Sequence, residues 1–193
     1  MDLLPMLSKF EPANDRESET ALFRTHVPWV APEAYLNIVY KPADKNTLTA
    51  VAAKLDIPEP WVQFLARNNG ACLFSVHLYI DGVVREGTLL NRRDHWSLPP
   101  TNIEEANVTA NPLDLTRYLI IGSYGYDGSR VCIDRDDDSV HVFHRGQPKA
   151  YASWPKPEQW LRDEVRRLSD LFDPKGKLLV DSSMTLPEPK LKH

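Results

Sequence analysis

The feature of this sequence that most restricts its fold is a series of three short, apolar runs. They are Tyr118-Leu119-Ile120-Ile121-Gly122, Arg130-Val131-Cys132-Ile133-Asp134 and Val140-His141-Val142-Phe143-His144. β-Branched and aromatic residues dominate them, as strands favour. The segments between them are too short for a crossover helix, so neighbouring strands are expected to be antiparallel. Upstream, Phe74, Val76, Leu78 and Ile80 alternate with Leu73, Ser75, His77 and Tyr79, the period of a strand with one buried face. Asp81-Gly82 then fits a two-residue hairpin turn, with Val83 to Leu90 as the return strand.

Helical spacing brackets these strands. Leu48, Val51, Ala52 and Leu55 fall on one face of a helix that starts near Asn46 and ends before Pro58. Pro60 suits the first position of a second helix with Trp61, Phe64 and Leu65 as its apolar face, and Asn68-Asn69-Gly70 stops it. Near the carboxyl end, Leu161, Val165, Leu168 and Phe172 repeat at helical spacing, with Pro157 near the start and Arg166 and Arg167 towards the end. Helices, strands and a closing helix give an α+β class: a single domain with a largely antiparallel or mixed central sheet, flanked by an amino-terminal helix pair and a carboxyl-terminal helix. The expected limits are an irregular extension over 1–45 with one short helix, the α+β domain over 46–172, and a tail over 173–193 that docks briefly through Leu178-Leu179-Val180.

The chain has 193 residues, about the size of one domain, and its 42% hydrophobic and 26% charged residues exclude wholesale disorder and a membrane bundle. Its net charge of −4 has the wrong sign for a general nucleic-acid or anionic-membrane binder and suits a basic partner. No basic region precedes an apolar stretch at the amino terminus, so a cytoplasmic location is expected. Cys72 and Cys132 are too few for a disulfide framework or a four-ligand structural zinc site and read as buried core thiols.

Candidate chemistry is sparse. Asp134, Asp136 and Asp138 alternate like the start of a calcium loop, but Ser139 and Arg145 stand where that loop needs glycine and glutamate. The cluster reads as a solvated turn, or as a recognition surface for a cationic partner, and no metal or cofactor is expected. His141 and His144, three apart on a strand, point to opposite faces and could not share an ion. The segment from Gly122 to Gly128 lacks the lysine and hydroxyl residue of a phosphate-binding loop and serves to place Tyr124 and Tyr126. The tryptophans read mostly as packing, although Trp96, beside Arg92, Arg93, Asp94 and His95, suits an exposed site. No nucleophile, base and orienter are grouped, so an enzyme is not expected.

The run from Leu55 to Gly70, with Pro58, Trp61, Phe64-Leu65 and Asn69-Gly70, resembles the "L-x-x-P, aromatic, F-L, N-G" opening of the SUKH superfamily, the Smi/Knr-like domain. Tyr118 to Asp134, a glycine-rich loop between two strands, resembles its second half. Ala152-Ser153-Trp154 before Gln159-Trp160-Leu161 resembles its closing helix. The resemblance covers about residues 46 to 172; the connection from Arg93 to Arg117 and the amino-terminal extension depart from it. It implies a non-catalytic immunity protein that binds and neutralises a toxin, possibly a nuclease, used between competing bacteria. The alternative is a regulatory interaction module that binds a cellular protein. On either reading the partner is a protein, with no direct nucleic-acid or membrane contact. The expected partner surface comprises Tyr124, Tyr126 and Asp127, the acidic turn Asp134, Asp136, Asp137 and Asp138, and Trp96.

Overall fold

Strands follow one another across the sheet in the order in which they occur in the chain, each antiparallel to the next. The computed structural model describes residues 1–85, 99–108, 113–179 and 186–187. Its nine strands are β1 (Arg16–Glu17), β2 (Ala21–His26), β3 (Tyr35–Tyr40), β4 (Ala71–Leu73), β5 (Leu78–Ile80), β6 (Tyr118–Tyr124), β7 (Arg130–Asp134), β8 (Val140–Phe143) and β9 (Ala150–Trp154). Helices α1 (Lys45–Leu55) and α2 (Glu59–Leu65) lie between β3 and β4, α3 (Ile103–Ala106) between β5 and β6, and α4 (Pro157–Ser169) after β9. The α+β single-domain class is as expected from the sequence.

Local chemistry accounts for the helix limits. The Asp44 carboxylate accepts the Thr47 amide at 2.9 Å and caps α1. At the other end Asp56 takes the left-handed conformation, and Pro58 cannot continue the helix. Pro157 begins α4, whose face carrying Trp160, Leu161, Val165 and Leu168 is buried against the sheet. That face joins Trp61 and Phe64 of α2 and the inward residues of the strands in the main core. The opposite face of the sheet holds two smaller clusters: Leu113, Ile120, Cys132 and Phe143, and Ala21, Phe23 and Tyr40.

Three local expectations are corrected. The stretch 1–45 is not irregular: beyond the 3-10 turn Leu4–Leu7 it supplies three strands. Ala21, Phe23 and Thr25 are the buried positions of β2, and the buried polar Asn37 breaks the apolar signal of β3. The alternating run from Leu73 to Ile80 is not one strand. Phe74, Ser75 and Val76 have φ of +56°, +52° and +72°, which turn the chain between β4 and β5. Asp81-Gly82 is not a hairpin turn; the Asp81 amide bonds Ile121 and the Gly82 amide bonds Thr101. The rest of the supposed return strand, 86–90, lies outside the described residues. The tail folds back, with Phe172 bridging Leu178 and the Glu11 amide donating to Pro174, whereas Val180 lies outside the described residues.

Candidate interaction site

A sheet whose neighbours are all antiparallel sends successive connections to alternate ends. The β2–β3, β4–β5, β6–β7 and β8–β9 connections therefore share one end, and the β7–β8 turn lies at the other. On the shared end stand Trp29 (54% exposed), Val30 (58%), Val76 (51%) and Tyr126 (63%), drawn from three separate connections. Large apolar side chains held in water on one patch mark an interaction surface more than isolated ones do.

These side chains sit on ordered backbone. Trp29 and Val30 follow Val27, whose amide bonds Ala34 at 2.9 Å and whose carbonyl accepts the Val30 amide at 2.9 Å. Val76 belongs to the left-handed turn, which the buried Asn37 holds by accepting the Phe74 amide through Oδ1 at 3.1 Å; the Ser75 amide donates to Leu36 at 2.8 Å. The Phe74 ring packs between Phe10 and Phe172. Tyr126 lies in a tight turn closed by Gly128 at φ +71° and by Asp127, which accepts the Ser129 amide at 2.8 Å and the Ser129 hydroxyl at 2.7 Å. The two turns interlock where Gly125 packs against the Val76 carbonyl, a place with no room for a Cβ.

Tyr126 and Asp127 thus belong to the exposed end, whereas Tyr124 does not. Tyr124 is the last residue of β6 and is buried, and its hydroxyl donates to Glu164 of α4 at 2.6 Å. Arg167 clamps the same carboxylate through Nε and Nη2, at 3.1 Å to one oxygen and 2.7 Å to the other. Burial, followed by the adjacent Glu164 charge, holds the Tyr124 phenol well above its ordinary range. Tyr124 is therefore a core anchor for α4, which removes it from the expected partner surface.

The acidic turn is separated from Tyr126 by the whole of β7, five residues or about 17 Å. Expected as one surface with Tyr126 and Asp127, it lies at the opposite end, because consecutive hairpin turns alternate. Asp134 is buried and accepts from Arg117 Nε at 2.9 Å and Nη2 at 2.7 Å, so it is a structural residue. Asp136 and Asp137 are exposed; Asp137 accepts the Ser139 amide at 2.8 Å, and Asp138 lies 3.6 Å from Lys156. Arg135 turns away to the carbonyls of Leu55 and Asp56, both at 2.6 Å, and ties this turn to the end of α1. Folding brings Arg117 and Lys156 to the aspartates, which weakens the negative field that the local sequence suggests. Trp96 lies outside the described residues.

Neither histidine of the β8 region stands near the other's partners: His141 Nε2 is 2.8 Å from Ser139 Oγ, and His144 Nδ1 is 3.5 Å from Asp127. Among the described residues no three His, Cys, Asp or Glu side chains are grouped to hold a metal ion, and no helix is long and apolar enough to cross a membrane. Cys132 is buried and Cys72 partly so, and burial pushes the Cys72 thiol up to about 11.

Sequence reasoning missed Trp29, Val30 and Val76. Trp29-Val30 beside Pro28 and Pro32 is the one signal that could have pointed to an exposed aromatic turn. Nothing in the alternation around Val76 distinguishes it from an inward strand residue. No family model, curated protein or solved structure matches the chain.

Proposed function

We propose that this chain is a non-catalytic, protein-binding immunity protein of the SUKH type that acts in the cytoplasm by binding a cognate toxin. The observation that carries the reading is the apolar end of the sheet, where Trp29, Val30, Val76 and Tyr126 stand in water on three connections, two of which interlock at Val76 and Gly125. Rigid, exposed aromatic and aliphatic side chains lose little conformational freedom on binding, which is why such residues supply interface energy. The order of elements, a helix pair followed by antiparallel strands and a closing helix, also supports the family reading. The net charge of −4 suits a basic partner, such as a nuclease domain with a substrate groove, by hastening association.

Co-expression with a toxin domain encoded beside the gene tests the reading. The parent chain is expected to restore growth and to co-purify with the domain. Trp29→Ala and Tyr126→Ala should each weaken binding about 10-fold or more while leaving thermal stability nearly unchanged. Asp136→Lys, at the opposite end, should protect as the parent does. Absence of rescue by the parent overturns the immunity reading. Loss of protection in Asp136→Lys with full protection in Trp29→Ala moves the surface to the acidic turn.

A further inference from the structure

The segment that follows α4 runs beneath the apolar end of the sheet. Phe172, buried, lays its ring on that of Phe74 at 5.9 Å and against that of His77 at 5.6 Å, the residues that flank Ser75 and Val76. Four residues on, Gly176 seats against Val27, Leu36 and Thr25. Val27 closes the connection that carries Trp29 and Val30, donating to Ala34 and accepting from Val30, and the Leu36 carbonyl holds the Val76 turn through the Ser75 amide. The His77 carbonyl accepts the Gly125 amide at 3.1 Å, which carries the support on to the Tyr126 turn. One short segment thus underlies the connections of Trp29, Val30 and Val76 directly, and that of Tyr126 through His77.

We propose that residues 172–177 are a latch that holds the apolar end in its binding form, so that releasing them turns the site off while the sheet stays folded. The proposal rests on the interaction reading given above. The segment is ordered by its own turn: Asp173 Oδ1 accepts the Lys175 and Lys177 amides, both at 2.9 Å, and the Gly176 amide donates to the Asp173 carbonyl at 2.9 Å. Its anchors are the Phe172 ring, the Gly176 seat and the Glu11 amide, which donates to Pro174 at 2.9 Å. Pro174, Lys175 and Lys177 are exposed. A segment held by so few buried contacts opens at a lower free energy than the strands do. Exposed side chains contribute fully to binding only when their turns are already ordered, since ordering them on association costs conformational entropy. The closed latch meets that cost during folding. Once it opens, the Trp29 and Val76 turns lose the surfaces on which they rest, and less remains to impose the strained backbone of Val76.

Hydrogen exchange of the full chain, read amide by amide by NMR, tests this without any toxin. Gly176→Ala places a Cβ 2.9 Å from Val27 Cγ1 at a φ of +81° and so unseats the segment, whereas Asp173→Ala removes the shared acceptor of its turn. In both variants the Val30, Ala34 and Ser75 amides should exchange at least about tenfold faster than in the parent, while amides of β7 and β8 stay within about twofold. Both should also bind the toxin domain about tenfold or more weakly, although neither replaced residue is one of the exposed apolar ones. Unchanged exchange at the three amides, or acceleration spread evenly over the sheet, overturns the latch. So does binding as tight as the parent's in a variant whose turns exchange faster. Because exchange needs no partner, failed rescue by the parent with the expected exchange refutes the immunity reading alone, and rescue with unchanged exchange refutes the latch alone.

Discussion

Replacing Asp81 with asparagine should abolish a defined loss of stability between pH 5 and pH 8. Asp81 follows β5, its amide bonds Ile121 at 2.9 Å, and its side chain is buried with the residue only 1% exposed. Neither carboxylate oxygen has a hydrogen-bond partner among the described residues. Desolvation by burial pushes its pKa from the ordinary 3.8 up to about 7, opposed by the charge of Arg130 on β7. A carboxyl group whose pKa is raised by folding stabilises the folded state fully below its unfolded value. That contribution disappears as pH rises through the folded value. With pKa near 3.8 unfolded and about 7 folded, the group alone contributes roughly 2.5 kcal/mol more stability at pH 5 than at pH 8. Urea unfolding of the parent and of Asp81→Asn at pH 5, 6, 7 and 8 measures it. With asparagine standing in for the protonated acid, the variant should be more stable than the parent by about 1.5 kcal/mol at pH 5, where the unfolded parent has already ionised, and by roughly 4 kcal/mol at pH 8, about 8–16 °C in Tm for a chain of this size. Parallel pH profiles, or a variant less stable than the parent at pH 8, would refute the assignment of a desolvated, unpaired carboxylate.

Glu164→Ala should destabilise the fold by about 3–5 kcal/mol in urea unfolding, because it leaves the partly buried Arg167 and the buried Tyr124 hydroxyl without their shared partner. Val76→Gly should leave stability unchanged or raise it by up to about 1 kcal/mol, since glycine adopts a φ of +72° without strain. The same variant should weaken toxin binding in a co-purification or calorimetric titration, because it removes an exposed apolar side chain.

What the sequence made legible follows from how local each determinant is. The helix pair was readable because its stops are chemical: Pro58 and the Asn-Asn-Gly segment act whatever the rest of the chain does. Strands β6, β7 and β8 were readable because branched and aromatic residues crowd them. The break at Phe74 to Val76 was hidden, since it depends on Asn37 of β3, on the far side of the helix pair in sequence, accepting the Phe74 amide. Strand β9 was missed for a similar reason: Ala150-Tyr151-Ala152-Ser153-Trp154 forms a strand because β8 pairs with it. The acidic turn was found as a turn, but not that Asp134 is buried within it or that it stands at the other end of the sheet from Tyr126. Its composition was visible, whereas the burial of Asp134 and the approach of Arg117 and Lys156 are tertiary.

Val76 joins the fold to the proposed function most directly. A β-branched residue in the left-handed region is strained by roughly 1–3 kcal/mol and persists only where its surroundings impose the conformation. Here Asn37, Leu36 and Gly125 impose it, and the Phe74 ring fixes the turn from below. The constraint therefore explains how the strain is tolerated. It does not explain the side chain, which is half exposed and contributes little to the core. Asparagine or glycine would serve that backbone better. A branched apolar group in water, on a strained turn, at the same end of the sheet as Trp29, Val30 and Tyr126, gains nothing from the folded chain, and burial against the proposed partner would supply the missing gain.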